Sequence, residues 1–178
     1  MIDRIVCIVE GKGEVEALPV LLRRLLLEID PTRHCEIQRP NRRNRSSLVR
    51  SGEFEREIQT AAKFAGEAGL ILVLIDADED KVCELGPELT KRANLARPDR
   101  RILVSLAHME FEHWLVAADP SRPPNFESIR DAKRLLRKDY SPTAHQAGLT
   151  QKMDLHLARQ HSPSFCRFCR RFQDLLAE

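Results

Sequence analysis

Apolar and polar positions fall along this chain in blocks of two kinds. Short apolar runs rich in β-branched residues occur at Ile5-Val6-Cys7-Ile8-Val9 and Leu70-Ile71-Leu72-Val73-Leu74-Ile75, with a third at Ile102-Leu103-Val104-Ser105-Leu106. Such runs predict strands covered on both faces, as in a parallel sheet. Between them lie longer segments with apolar residues at helical spacing. Val15, Leu18, Leu22, Leu25, Leu26 and Ile29 predict a helix from about Glu14 to Glu28, closed by Pro31. Phe54, Ile58, Ala61, Ala62 and Ala65 predict another from Gly52 to Glu67. Further helices are expected near Pro87 to Ala96 and from Glu110 to Ala118. A weaker strand is expected over Cys35 to Gln38, and Arg39 to Ser47 reads as a basic surface loop.

This alternation predicts an α/β fold: a small parallel sheet flanked by helices, joined by right-handed crossovers. After Pro120 the pattern changes. Ser121-Arg122-Pro123-Pro124-Asn125 reads as a linker, and residues 126–178 carry helical periodicity without a strand. The expected organisation is an α/β domain over 1–120 and a helical C-terminal extension over 121–178 packed on it. A chain of 178 residues is long enough to bury a proper core.

Charge changes the picture through its layout rather than its total. The chain has 29 basic and 27 acidic residues, a net charge of +2. The acids gather at two strand ends, while arginines dominate 39–50 and 159–171. That layout suits a nucleic-acid or nucleotide partner. No apolar run approaches the length of a membrane span, and Asp3 and Arg4 precede a run too short for a signal sequence. The five scattered cysteines predict no disulfide framework, so a reduced, cytoplasmic protein is expected.

The two acidic clusters are the candidate chemistry. Val9 is followed by Glu10-Gly11-Lys12-Gly13-Glu14, and Ile75 by Asp76-Ala77-Asp78-Glu79-Asp80. In an open α/β sheet, ligands bind beyond the carboxyl ends of the strands. Carboxylates converging there repel one another unless a cation lies between them, and hard oxygen donors suit Mg²⁺ or Mn²⁺. The expected metal ligands are Glu10, Glu14, Asp76, Asp78, Asp80 and Glu112. Residues two apart in an extended segment point the same way, so Asp76 and Asp78 are expected to chelate from one side. Gly11-Lys12-Gly13 fits neither a P-loop nor a dinucleotide fingerprint.

Other candidates rank below these. Lys12, Arg42, Arg43, Arg45, Lys133, Arg134, Arg137, Lys138 and Lys152 carry positive charge suited to phosphate, and Lys12 and Lys152 are retained as catalytic candidates with Glu10. Trp114 is expected to anchor the core, and His108 and His113 to be surface or capping residues. Cys166 and Cys169, with His156 and His161 upstream, have a zinc-like spacing. Ser162-Pro163 nevertheless reads as a helix start, and Phe165, Phe168, Cys169, Phe172 and Leu175 as an apolar stripe.

Glu10-Gly11 and Asp76-x-Asp78, each closing a strand, resemble the marks of the TOPRIM domain, shared by topoisomerases, primases and the overcoming-lysogenization-defect nucleases. The form Glu10-Gly11-x-x-Glu14 is most similar to the nuclease branch. Phe111-Glu112-x-Trp114-Leu115 and Ser162-Pro163-Ser164-Phe165 resemble segments of small bacterial TOPRIM-like proteins often encoded beside an ABC-type or AAA-type ATPase. The resemblance implies a Rossmann-like sheet and a Mg²⁺-dependent phosphotransfer site in which Glu10, Glu14, Asp76 and Asp78 hold metal, assisted by an acid near Glu112 and a lysine such as Lys152. The lone Tyr140 is a poor nucleophile candidate, so topoisomerase chemistry is set aside. The expected function is metal-dependent phosphodiester hydrolysis of DNA or RNA with two ions, in a defence setting with an ATPase partner. The rival is a degenerate binding or regulatory module, with nucleotidyl transfer behind both.

Overall fold

The computed structural model describes residues 1–177. Its elements run β1 (Arg4–Val9), α1 (Glu14–Ile29), β2 (Glu36–Ile37), β3 (Asn41–Arg42), α2 (Arg45–Val49), α3 (Glu53–Ala65), β4 (Leu70–Asp76), α4 (Val82–Ala96), β5 (Arg101–Ala107) and α5 (Glu112–Ala117). A 3₁₀ turn (Phe126–Ser128) follows, then α6 (Lys133–Leu136), α7 (Pro142–Lys152), α8 (Leu155–His161) and α9 (Pro163–Ala177). The fold is α/β, with a small all-parallel sheet flanked by helices and a helical C-terminal region.

The sheet order is β2-β1-β4-β5, and β3 also pairs with β1. The chain leaves β1 toward one edge and returns on its other side as β4. The carboxyl ends of β1 and β4 therefore flank a topological switch point, where connections diverge and leave a crevice. Val9 is level with Leu74, and Asp76 with Ala107.

Each strand buries alternate residues on opposite faces. Cys7, Val9, Leu72, Leu74 and Leu103 pack with α1, α5, α8 and α9. Val6, Ile8, Ile71, Val73, Ile75 and Val104 pack with α2, α3 and α4. Trp114 is the hub of the first layer, fully buried against Phe111, Phe165 and Phe168, with its indole N–H donating to Ser164 Oγ at 2.8 Å. The C-terminal helices and the sheet thus share one core.

The structure corrects several boundaries. The expected strand at 35–38 shrinks to two residues, and the expected basic loop contains β3 and α2. β2 pairs with the start of β1 and β3 with its end. Together they form one edge strand broken at Pro40, which has no N–H to offer the ladder. Pro87 does not open its helix: α4 starts at Val82, and Lys81 O accepts the first N–H bonds from Glu84 and Leu85. The helix expected from Glu110 is six residues long and starts at Glu112. Cys169 is buried in the core as the stripe predicts, whereas Cys166 is exposed, so the two do not share a site. All five cysteines are free, and among the described residues no helix is long and apolar enough to cross a membrane.

Candidate functional site

Strand parity determines which way Asp76 points. As the last residue of β4 it follows Leu72 and Leu74 onto the face covered by α1 and α5. There it meets Glu14 at the start of α1 and Glu112 at the start of α5. These carboxylates line a cavity of about 460 Å³ with Gly11, Lys12, Gly13, Arg42, Lys133, Pro142 and Thr143.

Each of the three acids is oriented through one oxygen. Glu14 Oε2 accepts from Gly11 N at 2.8 Å, Asp76 Oδ1 from Phe111 N at 2.9 Å, and Glu112 Oε1 from the Tyr140 hydroxyl at 2.9 Å. The second oxygen of each has no hydrogen-bond partner among the described residues. Two glycines make this arrangement possible. A Cβ on Gly11 would lie 2.1 Å from Glu14 Oε1, and one on Gly13 would lie 2.1 Å from Gln146 Oε1 of α7.

Burial raises the pKa of all three carboxylates, and neighbouring acids add to it. Burial lifts Glu14 to about 7, reinforced by the charges of Glu112 and Glu10. Burial also lifts Asp76 well above the usual carboxylate range, with Glu14, Glu112 and Glu10 adding to it. Glu112 is raised by burial and by Glu110, against the opposing pull of Lys133. Ionising all three together is therefore unfavourable unless a cation joins them. Among the described residues, no three His, Cys, Asp or Glu side chains stand close enough to form a ready metal cage. The donor set still fits a hard divalent ion: three carboxylates, each with one oxygen fixed by a donor and one uncommitted.

The sequence expectation that Asp76 and Asp78 act from one side fails. β4 ends at Asp76, and Asp78 sits in a left-handed turn at φ 48°, its N–H bound to Met109 O at 2.8 Å. Parity holds only while the backbone stays extended. Asp78 and Asp80 are exposed and face Arg45, which also binds Glu10. The expected ligand set is therefore split. Glu14, Asp76 and Glu112 form an inner group, and Asp78, Asp80 and Glu10 an outer one.

Glu10 stands between the groups. Burial raises its pKa, the Arg45 charge opposes that rise, and Asp78 adds to it. Lys12 is exposed on the cavity wall. Lys152 closes α7, exposed and outside the cavity, rather than opening a helix. The lysine brought to the site is Lys133. Its Nζ pairs with Glu110, whose other oxygen accepts from Ala132 N at 2.9 Å. Burial works against the Lys133 charge, but Glu110 and Glu112 outweigh it and raise its pKa.

Glu110 and His113 tie the segment after the 3₁₀ turn to the sheet. His113 is not a surface residue: it is 1% exposed, with Nε2 against Ile129 O at 2.9 Å. This segment delivers Lys133 and then Tyr140, whose hydroxyl burial and Glu112 hold far above the usual phenol range. Sequence reading weighed Tyr140 only as a nucleophile and set Lys133 aside. The signals available were a lone tyrosine in a polar stretch and a basic cluster after a linker.

A second groove of about 590 Å³ lies beside β5, between α4 and α9. Arg167, Arg171 and Lys91 line it, and among the described residues no acid does, so it is separate from the acidic centre.

No curated protein and no solved structure matches the chain. One protein family does: residues 9–123 match the domain of unknown function DUF4276. The matched segment carries the strands β4 and β5 and every acid of both groups. The chain therefore belongs to the DUF4276 family, with the acidic crevice inside the family's own segment.

Proposed function

We propose that this protein is a metal-dependent phosphodiesterase acting on nucleic acid, in the manner of the TOPRIM nucleases it resembles in sequence. One observation carries the reading. Glu14, Asp76 and Glu112 share a cavity at the switch point, and each keeps one oxygen fixed by a donor and one uncommitted. Fixed carboxylates of this kind are typical of metal ligands supported by surrounding donors.

In this reading Glu14, Asp76 and Glu112 would hold Mg²⁺ or Mn²⁺, which when bound would supply charge stabilisation and activation of water. Lys133, Lys12 and Arg42 line the same cavity and offset phosphate charge there. Tyr140 holds Glu112 in place by donating to Oε1. Glu10 gives Oε2 to Arg45 and keeps Oε1 for a proton taken from water. Its pKa, raised by burial, improves its basicity.

The rival reading, a binding module without turnover, draws support from the separation of the acids in the absence of a preformed cage. One experiment separates the two. The full chain is incubated with plasmid, linear duplex, single-stranded DNA and RNA in Mn²⁺ or Mg²⁺, beside Asp76→Asn, and Mn²⁺ binding is followed by calorimetry. Metal-dependent cutting and Mn²⁺ binding, both lost in Asp76→Asn, are expected. Mn²⁺ binding without cutting of any substrate supports the binding module. No Mn²⁺ binding overturns the metal reading.

A further inference from the structure

The two edges of the sheet are finished differently. One is blunted, because β2 and β3 are two residues each and are separated at Pro40. The other is β5, seven residues long with no proline and no break. An intact edge strand presents N–H and C=O groups with which another strand can pair. Parity shows which residues present them. Ala107 O accepts from Ala77 N beyond β4, so Leu103, Ser105 and Ala107 turn their peptide groups toward β4, and Ile102, Val104 and Leu106 turn theirs outward.

Helix α9 ties this outer edge at two points. Ser164 Oγ accepts from His108 N at 3.2 Å, and Arg171 Nη1 donates to Val104 O at 2.8 Å. Between them, the N–H and carbonyl of Leu106 have no partner among the described residues, although Leu106 is only 4% exposed. Buried peptide groups are nearly always paired. These two border the groove of about 590 Å³ between α4 and α9.

The groove walls differ in chemistry. α4 and α9 cover opposite faces of the sheet, so the side chains of a strand added beyond β5 would alternate between them. The α4 wall opposite Leu106 is Val82, Gly86 and Pro87, and the α9 wall carries Arg167 and Arg171, one turn apart. Among the described residues no acid lines either wall. Arg171 is half-buried, and burial and the Arg167 charge both work against its own charge.

We propose that the β5 edge is a docking site for an extended segment of a partner protein in which apolar residues alternate with aspartate or glutamate. The segment pairs its backbone with Leu106, lays its apolar side chains on Val82, Gly86 and Pro87, and gives its carboxylates to Arg167 and Arg171. In such strand addition, backbone bonds supply affinity and the alternating side chains supply specificity. No residue of the acidic cavity lines this groove, so docking here is independent of the metal reading.

The test uses the full chain and a fluorescein-labelled, end-blocked peptide Val-Glu-Val-Glu-Val, read by anisotropy. The controls are Val-Lys-Val-Lys-Val, the reordered Val-Val-Val-Glu-Glu, and inorganic phosphate and single-stranded DNA as competitors. Wild type is expected to bind the alternating acidic peptide alone, and the Leu106 amide to become protected from hydrogen exchange when it does. Arg167→Glu, at an exposed position, is expected to weaken binding about tenfold. Gly86→Leu is expected to abolish binding with the melting temperature kept, because a Cβ there meets only Leu106 Cδ1 at 3.7 Å while the longer side chain fills the groove. No saturable binding, equal binding of the lysine or reordered peptide, or wild-type binding by both variants would each overturn the proposal. Displacement of the peptide by phosphate or by DNA would overturn it as well, and would make the groove a general anion site.

Discussion

Two groups of carboxylates gather around the ends of β1 and β4, the inner one completed by Glu112 from the start of α5, and the protein holds them in different ways. The inner acids Glu14, Asp76 and Glu112 are enclosed. Backbone N–H groups and a tyrosine hydroxyl orient them, and Lys133, the cation beside them, is bound to Glu110. The outer acids Asp78 and Asp80 are exposed and, with Glu10, gathered on Arg45. Enclosure without a paired cation raises the pKa of the inner acids. Asp78 and Asp80 are exposed and paired with a guanidinium, while Glu10, half-buried, shares that guanidinium and is itself raised by burial. The same residue types therefore make an enclosed cluster of raised pKa in one place and an ion-pair network on Arg45 in the other.

The largest expected difference between the groups appears in the pH dependence of stability. Glu14 is raised from 4.5 to about 7 in the folded state, chiefly by burial. The folded state thus keeps a proton that the unfolded chain releases at lower pH. The stabilisation from this group is full below about 4.5 and is lost as pH rises through about 7. Without metal, the melting temperature is expected to drop by roughly 5 °C between pH 5 and pH 8. Glu14→Gln is expected to flatten that drop, and Mn²⁺ to reverse it in wild type. A melting temperature that rises over this range in wild type would show that the inner acids are not enclosed as described.

A smaller effect is expected at the support of the inner group. Tyr140→Phe removes the donor to Glu112 and keeps the ring. Mn²⁺ affinity is expected to fall about tenfold, the lower end of what loss of an outer-shell partner costs. Calorimetry that gives wild-type affinity for this variant would remove Tyr140 from the site. The smallest effect is expected outside. Asp80→Asn weakens one partly exposed pair with Arg45, so stability is expected to change by less than about 1 kcal/mol, measured by denaturant unfolding. Loss of Mn²⁺ binding in that variant would erase the distinction between the groups.

How legible the site was depended on distance along the chain. Glu10, Glu14 and Asp76 were visible because strand-terminal acids in an α/β sheet sit at the crevice by topology, and the short apolar runs located the strands. Asp78 was misplaced because the alternation rule was carried past the end of β4 into a left-handed turn. Lys152 was chosen over Lys133 because both lie in helical sequence beyond the linker. Only the bonds of Glu110 to Ala132 and Lys133, and of His113 to Ile129, decide which one reaches the cavity. His113 looked polar and local, yet its ring is buried by a segment 16 residues away.

The sequence by itself determined the parallel α/β fold, the two acidic strand ends and the helical C-terminal region. Periodicity and strand-end chemistry are local properties, and every residue within an element reports them. Tertiary structure alone decided that the acids divide into two groups, that Arg45 closes the outer one, and that Lys133 and Tyr140 complete the inner one. Those outcomes depend on where a turn reverses and how a distant segment is pinned, and both are settled by packing and hydrogen bonds between residues far apart in the chain.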